Sequence, residues 1–325
     1  MSDRGDSGGL VAQLRPEGDL AWWAWASLAV FPGILGLVHL GIGLRPEHFV
    51  LTGLFLALSW MGPKARRFVV MGAPMWGTGL AYDFLRLVTH LRPEVHVDDL
   101  WHAERRWFGV DLEGGRVAWA DLVASHTHPV LDAITGGVYI LYLAAPIGLA
   151  VYLYFRNYDE ACRLSLSFLA ASLLGWVIWL AWPAAPPWYV DTYGLGPADP
   201  AALPSPAGAA RFDELFGIQL LSSFYSKSAN VFGAMPSLHA GYGLLPLLAT
   251  WRIGGRLRVA AAGWAILMSY AAVYLRHHYV LDVLAGLLVV IVADQLVGLG
   301  LARRNERLSA RSTQSHVSQP TEASA

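Results

Sequence analysis

The sequence predicts an all-α, polytopic integral-membrane helix bundle. Of its 325 residues, 55% are hydrophobic and 14% charged, against roughly 25% charged in a soluble domain. Mean hydropathy is +0.42, and the apolar residues gather into about eight runs. A hydrocarbon core about 30 Å thick takes roughly 20 apolar residues per helix, so several of these runs are long enough to cross it.

In order, the runs are Leu20 to Leu44, His48 to Gly62, Arg66 to Val88, Pro129 to Phe155, Leu164 to Trp182, Pro236 to Trp251, Leu257 to Leu275 and Tyr279 to Ala302. The second and sixth are short and read as tilted, half-buried or re-entrant helices. The first follows Arg4 and Arg15 and lacks the small-residue cleavage site of a signal peptide, so it is expected to be retained. Residues 1–19 read as a cytoplasmic tail and 20–302 as the membrane-embedded domain. Residues 303–325 read as a second cytoplasmic tail, disordered because it is polar and lacks hydrophobic periodicity. No internal repeat is visible, which argues against a transporter built from two related halves.

Lys and Arg collect on the cytoplasmic side of membrane proteins. With the N-terminus inside, Lys64, Arg66, Arg67, Arg156, Arg163, Arg252, Arg256, Arg258 and the Arg303 to Arg311 group all face the cytoplasm. The long stretches Thr89 to His128 and Pro183 to Met235 then lie on the non-cytoplasmic face. Within the first, Val97 to Phe108 mixes Leu100, Trp101, Trp107 and Phe108 with Asp98, Asp99, Glu104, Arg105 and Arg106 as an interfacial amphipathic helix would. Lys occurs only at Lys64 and Lys227 against many Arg, a bias that fits a bacterial genome and hence an inner-membrane location. Net charge is −1 with scattered basic residues, so no nucleic-acid surface is expected. A lone cysteine, Cys162, excludes an internal disulfide or a thiolate-cluster metal site.

Two motifs carry chemistry. Met235-Pro236-Ser237-Leu238-His239 opens the sixth run, where a helix N-terminus with Pro in its first turn offers unpaired N–H groups to a phosphate. Arg276-His277-His278-Tyr279-Val280-Leu281-Asp282 opens the eighth run at the same face. His278 and Asp282, four apart, lie one above the other on a helix, so the carboxylate can fix the imidazole tautomer. Two His and one Asp also match a facial metal triad, but there is no HExxH and no second carboxylate-His cluster. Asp83 and Arg86, three apart near the outer end of the third run, read either as a buried ion pair that fixes helix packing or, being ionisable at membrane depth, as functional candidates. Trp188 and Tyr189 suit either an aromatic belt or contact with a headgroup.

The Pro236-Ser237-Leu238-His239 run and His278-x-x-x-Asp282 resemble the second and third signature motifs of the type 2 phosphatidic acid phosphatase superfamily. Gly233 to His239, the doubled His277-His278-Tyr279, Ala185-Pro186-Pro187-Trp188-Tyr189 and Tyr82-Asp83-Phe84-Leu85-Arg86 are similar to its inositol phosphorylceramide synthase-like branch. The resemblance covers roughly residues 82–286. It implies a six-helix catalytic core preceded by N-terminal helices. Catalysis would use His278 as nucleophile, Asp282 as its orienting partner and His239 as general acid and base, without a metal or other cofactor. Ser237, Arg276, His277, Tyr189, Asp83 and Arg86 would contact substrate, a phospholipid donor or a lipid-alcohol acceptor. The phosphatases' Lys-x6-Arg-Pro string is missing; the nearest run is Arg86-x5-Arg92-Pro93. Ala271 and Ala272 stand where their third motif has Ser-Arg. That favours headgroup transfer between lipids, with phosphatidic acid hydrolysis as the alternative.

Overall fold

The computed structural model describes residues 21–317; the expected tail 1–19 lies outside them. Three helices open the fold: α1 (Ala21–Ile42), α2 (Pro46–Trp60) and α3 (Pro63–Phe84). Pro46 and Pro63 start their helices, where the missing N–H has no intrahelical acceptor to lose. α1 packs on α2, α2 on α3, and Phe55 stacks on Trp76 at 4.9 Å between centroids.

The first outer stretch folds as α4 (Asp98–Phe108), a hairpin of β1 (Gly109–Leu112) and β2 (Gly115–Ala118), and α5 (Trp119–Ser125). The run from Pro129 is then bent. α6 (Pro129–Ile140) and α7 (Ala144–Arg156) meet at 53°. Pro146 has no N–H to give the carbonyl of residue 142, and the helix parts there. Next come α8 (Tyr158–Ala181), then α9 (Pro187–Tyr193), α10 (Ala210–Phe216) and α11 (Leu220–Tyr225) in the second outer stretch. Asp213 takes the amides of Leu220, Leu221 and Ser222 and so caps α11. The bundle closes with α12 (Leu238–Ile253), α13 (Leu257–Tyr274) and α14 (Val280–Val317).

α8 touches α3, α7, α12 and α14, and α12 touches α13 and α14 as well. These two helices therefore form the middle of the bundle. Each of the eight apolar runs is helical, but the count of eight crossings is not confirmed. Among the described residues four helices are long and apolar enough to span a membrane, or five if the bent pair is one span. α2 and α12, with 15 and 16 residues, rise only about 24 Å or less, and α3 carries Lys64, Arg66, Arg67 and Asp83. The chain is an integral membrane protein. Of the tail expected at 303–325, residues 303–317 are helical, because α14 continues to Val317, and 318–325 lie outside the described residues. Ala, Arg, Glu, Leu and Gln after Gly300 favour helix, and no Pro interrupts them.

Candidate active site

α12 and α14 meet where their first turns begin. The Ser237 amide donates to the Asp282 carbonyl at 2.8 Å, and a Cβ at Gly286 would overlap the Ser237 carbonyl oxygen. One turn on, a Cβ at Gly241 would stand 2.7 Å from Val290. Small residues at a helix crossing let backbones touch, and here they bring both His-bearing ends together.

His239 and His278 face each other with ring centroids 5.4 Å apart and Nδ1 of His239 3.2 Å from Nε2 of His278. The other nitrogen of His278, Nδ1, lies 2.8 Å from the Ala234 carbonyl oxygen and 3.6 Å from Oδ2 of Asp282. Asp282 is fully buried and also accepts the Tyr279 amide at 2.8 Å. The sequence pointed to Asp282 as the partner of His278; the structure adds the closer Ala234 carbonyl. Hydrogen bonds of the second outer stretch set that carbonyl in place. Ala234 N–H donates to the Ala184 carbonyl, Ala184 N–H to the Phe232 carbonyl, and His96 and Ala185 pair across the same strip.

Tyrosines surround His239. Its Nε2 lies 3.2 Å from the Tyr225 hydroxyl, Tyr139 stacks on its ring at 4.5 Å, and Tyr142 leans against it at 4.5 Å. Sequence reading missed all three, because Tyr in an apolar run looks like ordinary core.

The expected substrate-binding residues divide. Ser237 is the N-cap of α12: its buried hydroxyl accepts the Ala240 amide at 3.4 Å. His277 stacks on Tyr225 at 4.5 Å and on Tyr139 at 5.0 Å, with Nε2 3.0 Å from the Pro206 carbonyl. Burial, with His278 beside it, pushes its imidazole down to about 3, so it is neutral and supplies no phosphate-gripping charge. Arg276 points away to Asp191, at 2.8 and 2.5 Å, and Asp121, at 2.5 Å. Burial opposes its charge, yet the two carboxylates hold its pKa above the ordinary value. It lines an outer cavity of about 470 Å³ with Trp101, Arg105 and Asp121.

Tyr189 is buried in a separate cluster with Trp188, Ala202 and Phe232, and its hydroxyl accepts the Asp199 amide at 2.7 Å. Asp83 pairs with Arg45, and Arg86 donates to the Lys227 carbonyl. Both thus tie the N-terminal helices and α11 region together, with no contact to the two histidines. Their neighbour Tyr82 reaches Ser228 at 3.2 Å.

The first amides of α14 are already taken. Glu104 of α4, fully buried, accepts the Val280 amide at 3.0 Å and the Leu281 amide at 3.2 Å. At α12 the amides of Leu238 and His239 are the first two of the helix and have no intrahelical acceptor. Among the described residues no group of three or more His, Cys, Asp or Glu is placed to hold a metal ion.

A family model described as the PAP2 superfamily matches residues 98–296. The phosphoinositol dihydroceramide synthase of Bacteroides thetaiotaomicron is 35% identical over 255 residues, 76% of this chain and 82% of that one. The inositol phosphorylceramide synthase catalytic subunit of Schizosaccharomyces pombe is 33% identical over 203 residues, 62% of this chain and 46% of its own length. The inositol phosphorylceramide synthase of Candida albicans is 30% identical over 237 residues, 72% and 49%. The chain thus spans about half the length of these fungal relatives. No solved structure gives a significant match. With both histidine motifs inside the matched stretch, the chain belongs to the PAP2 superfamily, and it is a membrane enzyme.

Proposed function

We propose that this enzyme moves a phosphoinositol-like headgroup from a phospholipid to a lipid alcohol of the ceramide or diacylglycerol type, through a phosphohistidine at His278. The observation that carries the reading is the orientation of His278. Its Nδ1 is held by the Ala234 carbonyl, so Nε2 points at His239. Nε2 attacks phosphorus while His239 protonates the departing alkoxide; His239 then deprotonates the incoming hydroxyl, and Asp282 offsets the imidazolium charge. The Leu238 and His239 amides at the α12 N-terminus stabilise the phosphoryl oxygens.

The synthase relatives support the donor and acceptor classes. The site lies on the non-cytoplasmic face of a bacterial inner membrane in this reading, following the distribution of Lys and Arg. Purified protein is incubated with labelled phosphatidylinositol, with and without ceramide or diacylglycerol. The expected result is a headgroup-bearing lipid product that depends on acceptor. Phosphate release from phosphatidic acid outrunning that transfer would replace the reading with a phosphatase.

A further inference from the structure

The two histidines belong to a hydrogen-bonded series whose proton positions follow from its end member. A carbonyl oxygen only accepts, so Nδ1 of His278, 2.8 Å from the Ala234 carbonyl, carries the proton. Asp282, the second group near that nitrogen, is also an acceptor. Neutral His278 keeps its lone pair on Nε2, and the 3.2 Å contact then requires His239 to donate from Nδ1. The lone pair of His239 lies on Nε2, where Tyr225 at 3.2 Å must be the donor. His277 cannot replace it, because its Nε2 proton is given to the Pro206 carbonyl. Tyr139 and Tyr142 present ring faces to His239.

We propose that Tyr225 is a positioning residue for the transfer: it holds His239 as the Nδ1–H tautomer and lends its phenolic proton to Nε2 while Nδ1 protonates the leaving alkoxide. The inference rests on the phosphohistidine reading above. In the first half-reaction His278 Nε2 bonds to phosphorus, the phosphorus–alkoxide bond breaks, and the alkoxide takes the Nδ1 proton of His239. Loss of that proton alone would leave an anionic ring. Transfer of the Tyr225 proton to Nε2 keeps the ring neutral and leaves a phenolate, balanced by the phosphorylated imidazolium of His278.

Burial holds the Tyr225 phenol well above its ordinary range, so it keeps its proton at rest and yields it, through His239, only to a base as strong as the departing alkoxide, whose conjugate acid lies near the roughly 15.7 of water. His239 is now the Nε2–H tautomer with a bare Nδ1, the form that a base needs. In the second half-reaction Nδ1 takes the acceptor's hydroxyl proton, the Nε2 proton returns to Tyr225, and the P–N bond breaks as the new P–O bond forms. The ionisable groups facing this series are Tyr139 and Tyr142 from the bent helix pair, His277 and Asp282 from the turn into α14, and Tyr82 near Ser228.

Tyr225→Phe can act only from a protonated His239. Burial beside His278 and His277 holds that imidazole well below its ordinary pKa, so kcat of the variant should fall with rising pH from the acid end of the range, with KM little changed, while the parent does not share that fall. At pH 8 the loss should be about 10²- to 10³-fold with lipid donors, whose leaving groups are alkoxides. It should be only a few-fold with a 4-nitrophenyl phosphodiester, which needs no acid. An unchanged pH profile, or an equal loss at every pH and with every leaving group, would overturn the proposal.

Phosphatidylinositol with ceramide and phosphatidic acid with water are assayed in parallel. The Tyr225 signature on phosphatidic acid alone removes the phosphoinositol reading and keeps this one. Full activity of His278→Ala on both removes both. Nitrogen-15 spectra of histidine-labelled protein in bilayers supply a readout independent of turnover. The parent should show His239 protonated at Nδ1, with an Nε2–H population appearing in Tyr225→Phe; Nε2–H in the parent would overturn the inference.

Discussion

Gly286 packs directly beneath the Ser237 carbonyl, with no room for a side chain between α14 and the first turn of α12. The obstacle is backbone, so it cannot rotate away as a side-chain tip could. Gly286→Ala should cost about 1–3 kcal/mol by overpacking and spread the two helix ends that carry His239 and His278. Transfer should fall more than ten-fold at a temperature where the variant remains folded, read by thermal unfolding beside the lipid assay. Parent-level activity would show that the His pair tolerates a wider crossing.

His278→Ala should abolish both turnover and acid-labile phosphoenzyme, since no other nitrogen is placed to attack. Asp282→Asn should be milder than the roughly 10⁴-fold loss seen when a serine-protease triad carboxylate is amidated. There the carboxylate alone sets the tautomer; here the Ala234 carbonyl at 2.8 Å shares that duty with Asp282 at 3.6 Å. A loss of about 10²-fold in phosphoenzyme formation is expected, from the missing negative charge. A loss as complete as that of His278→Ala would assign the tautomer to Asp282 alone.

Glu104 makes stability depend on pH. Burial pushes its carboxyl up to about 7 despite the two α14 amides it accepts. The folded protein then binds more protons than the unfolded chain between about pH 4.5 and 7. Its contribution is full below that window and is lost as pH rises through 7. Glu104→Gln keeps an acceptor for one amide and has no such dependence. Thermal unfolding at pH 5 and pH 8 should show the variant gaining on the parent at the higher pH. An equal difference at the two pH values would mean that Glu104 is ionised throughout.

How far each residue could be read from sequence depended on what it does. His239, His278 and Asp282 were legible because ionisable groups opening apolar runs are costly unless used. Glu104 was not, since among Arg105, Arg106 and two Asp it reads as the wet face of α4; only the distant amides of Val280 and Leu281 explain its burial. Arg276, adjacent to the histidines in sequence, sits at φ +65° and turns towards Asp191 of α9 and Asp121 of α5. Tyr225 had no local signal, because its partner is 14 residues away across a loop. The helical segments were legible in the apolar pattern, whereas the number of crossings was not: Pro146 breaks one run, and α2 and α12 are too short to settle it by length.

At the opposite end of α12, about 20 Å from His239 by helical rise, Arg252 joins a buried ionic network. It meets Glu160 at 2.5 Å and Asp294 at 2.7 Å, while Arg163 meets Asp294 at 2.9 Å and Ser167 donates to the same carboxylate at 2.8 Å. Asp294 is 1% exposed and joins α8, α12 and α14. Removing one partner of a buried network leaves uncompensated charge, at about 3–5 kcal/mol. Arg252 retains Glu160 in Asp294→Leu, so most of the penalty should fall on Arg163. Asp294→Leu should therefore lower the unfolding temperature sharply, and Arg163→Met added to it should restore much of the loss, a coupling that a double-mutant cycle reads directly. Because the histidines lie at the other end, kcat below the unfolding temperature should stay near that of the parent. Additive losses in the double variant would show that the two residues do not share one network.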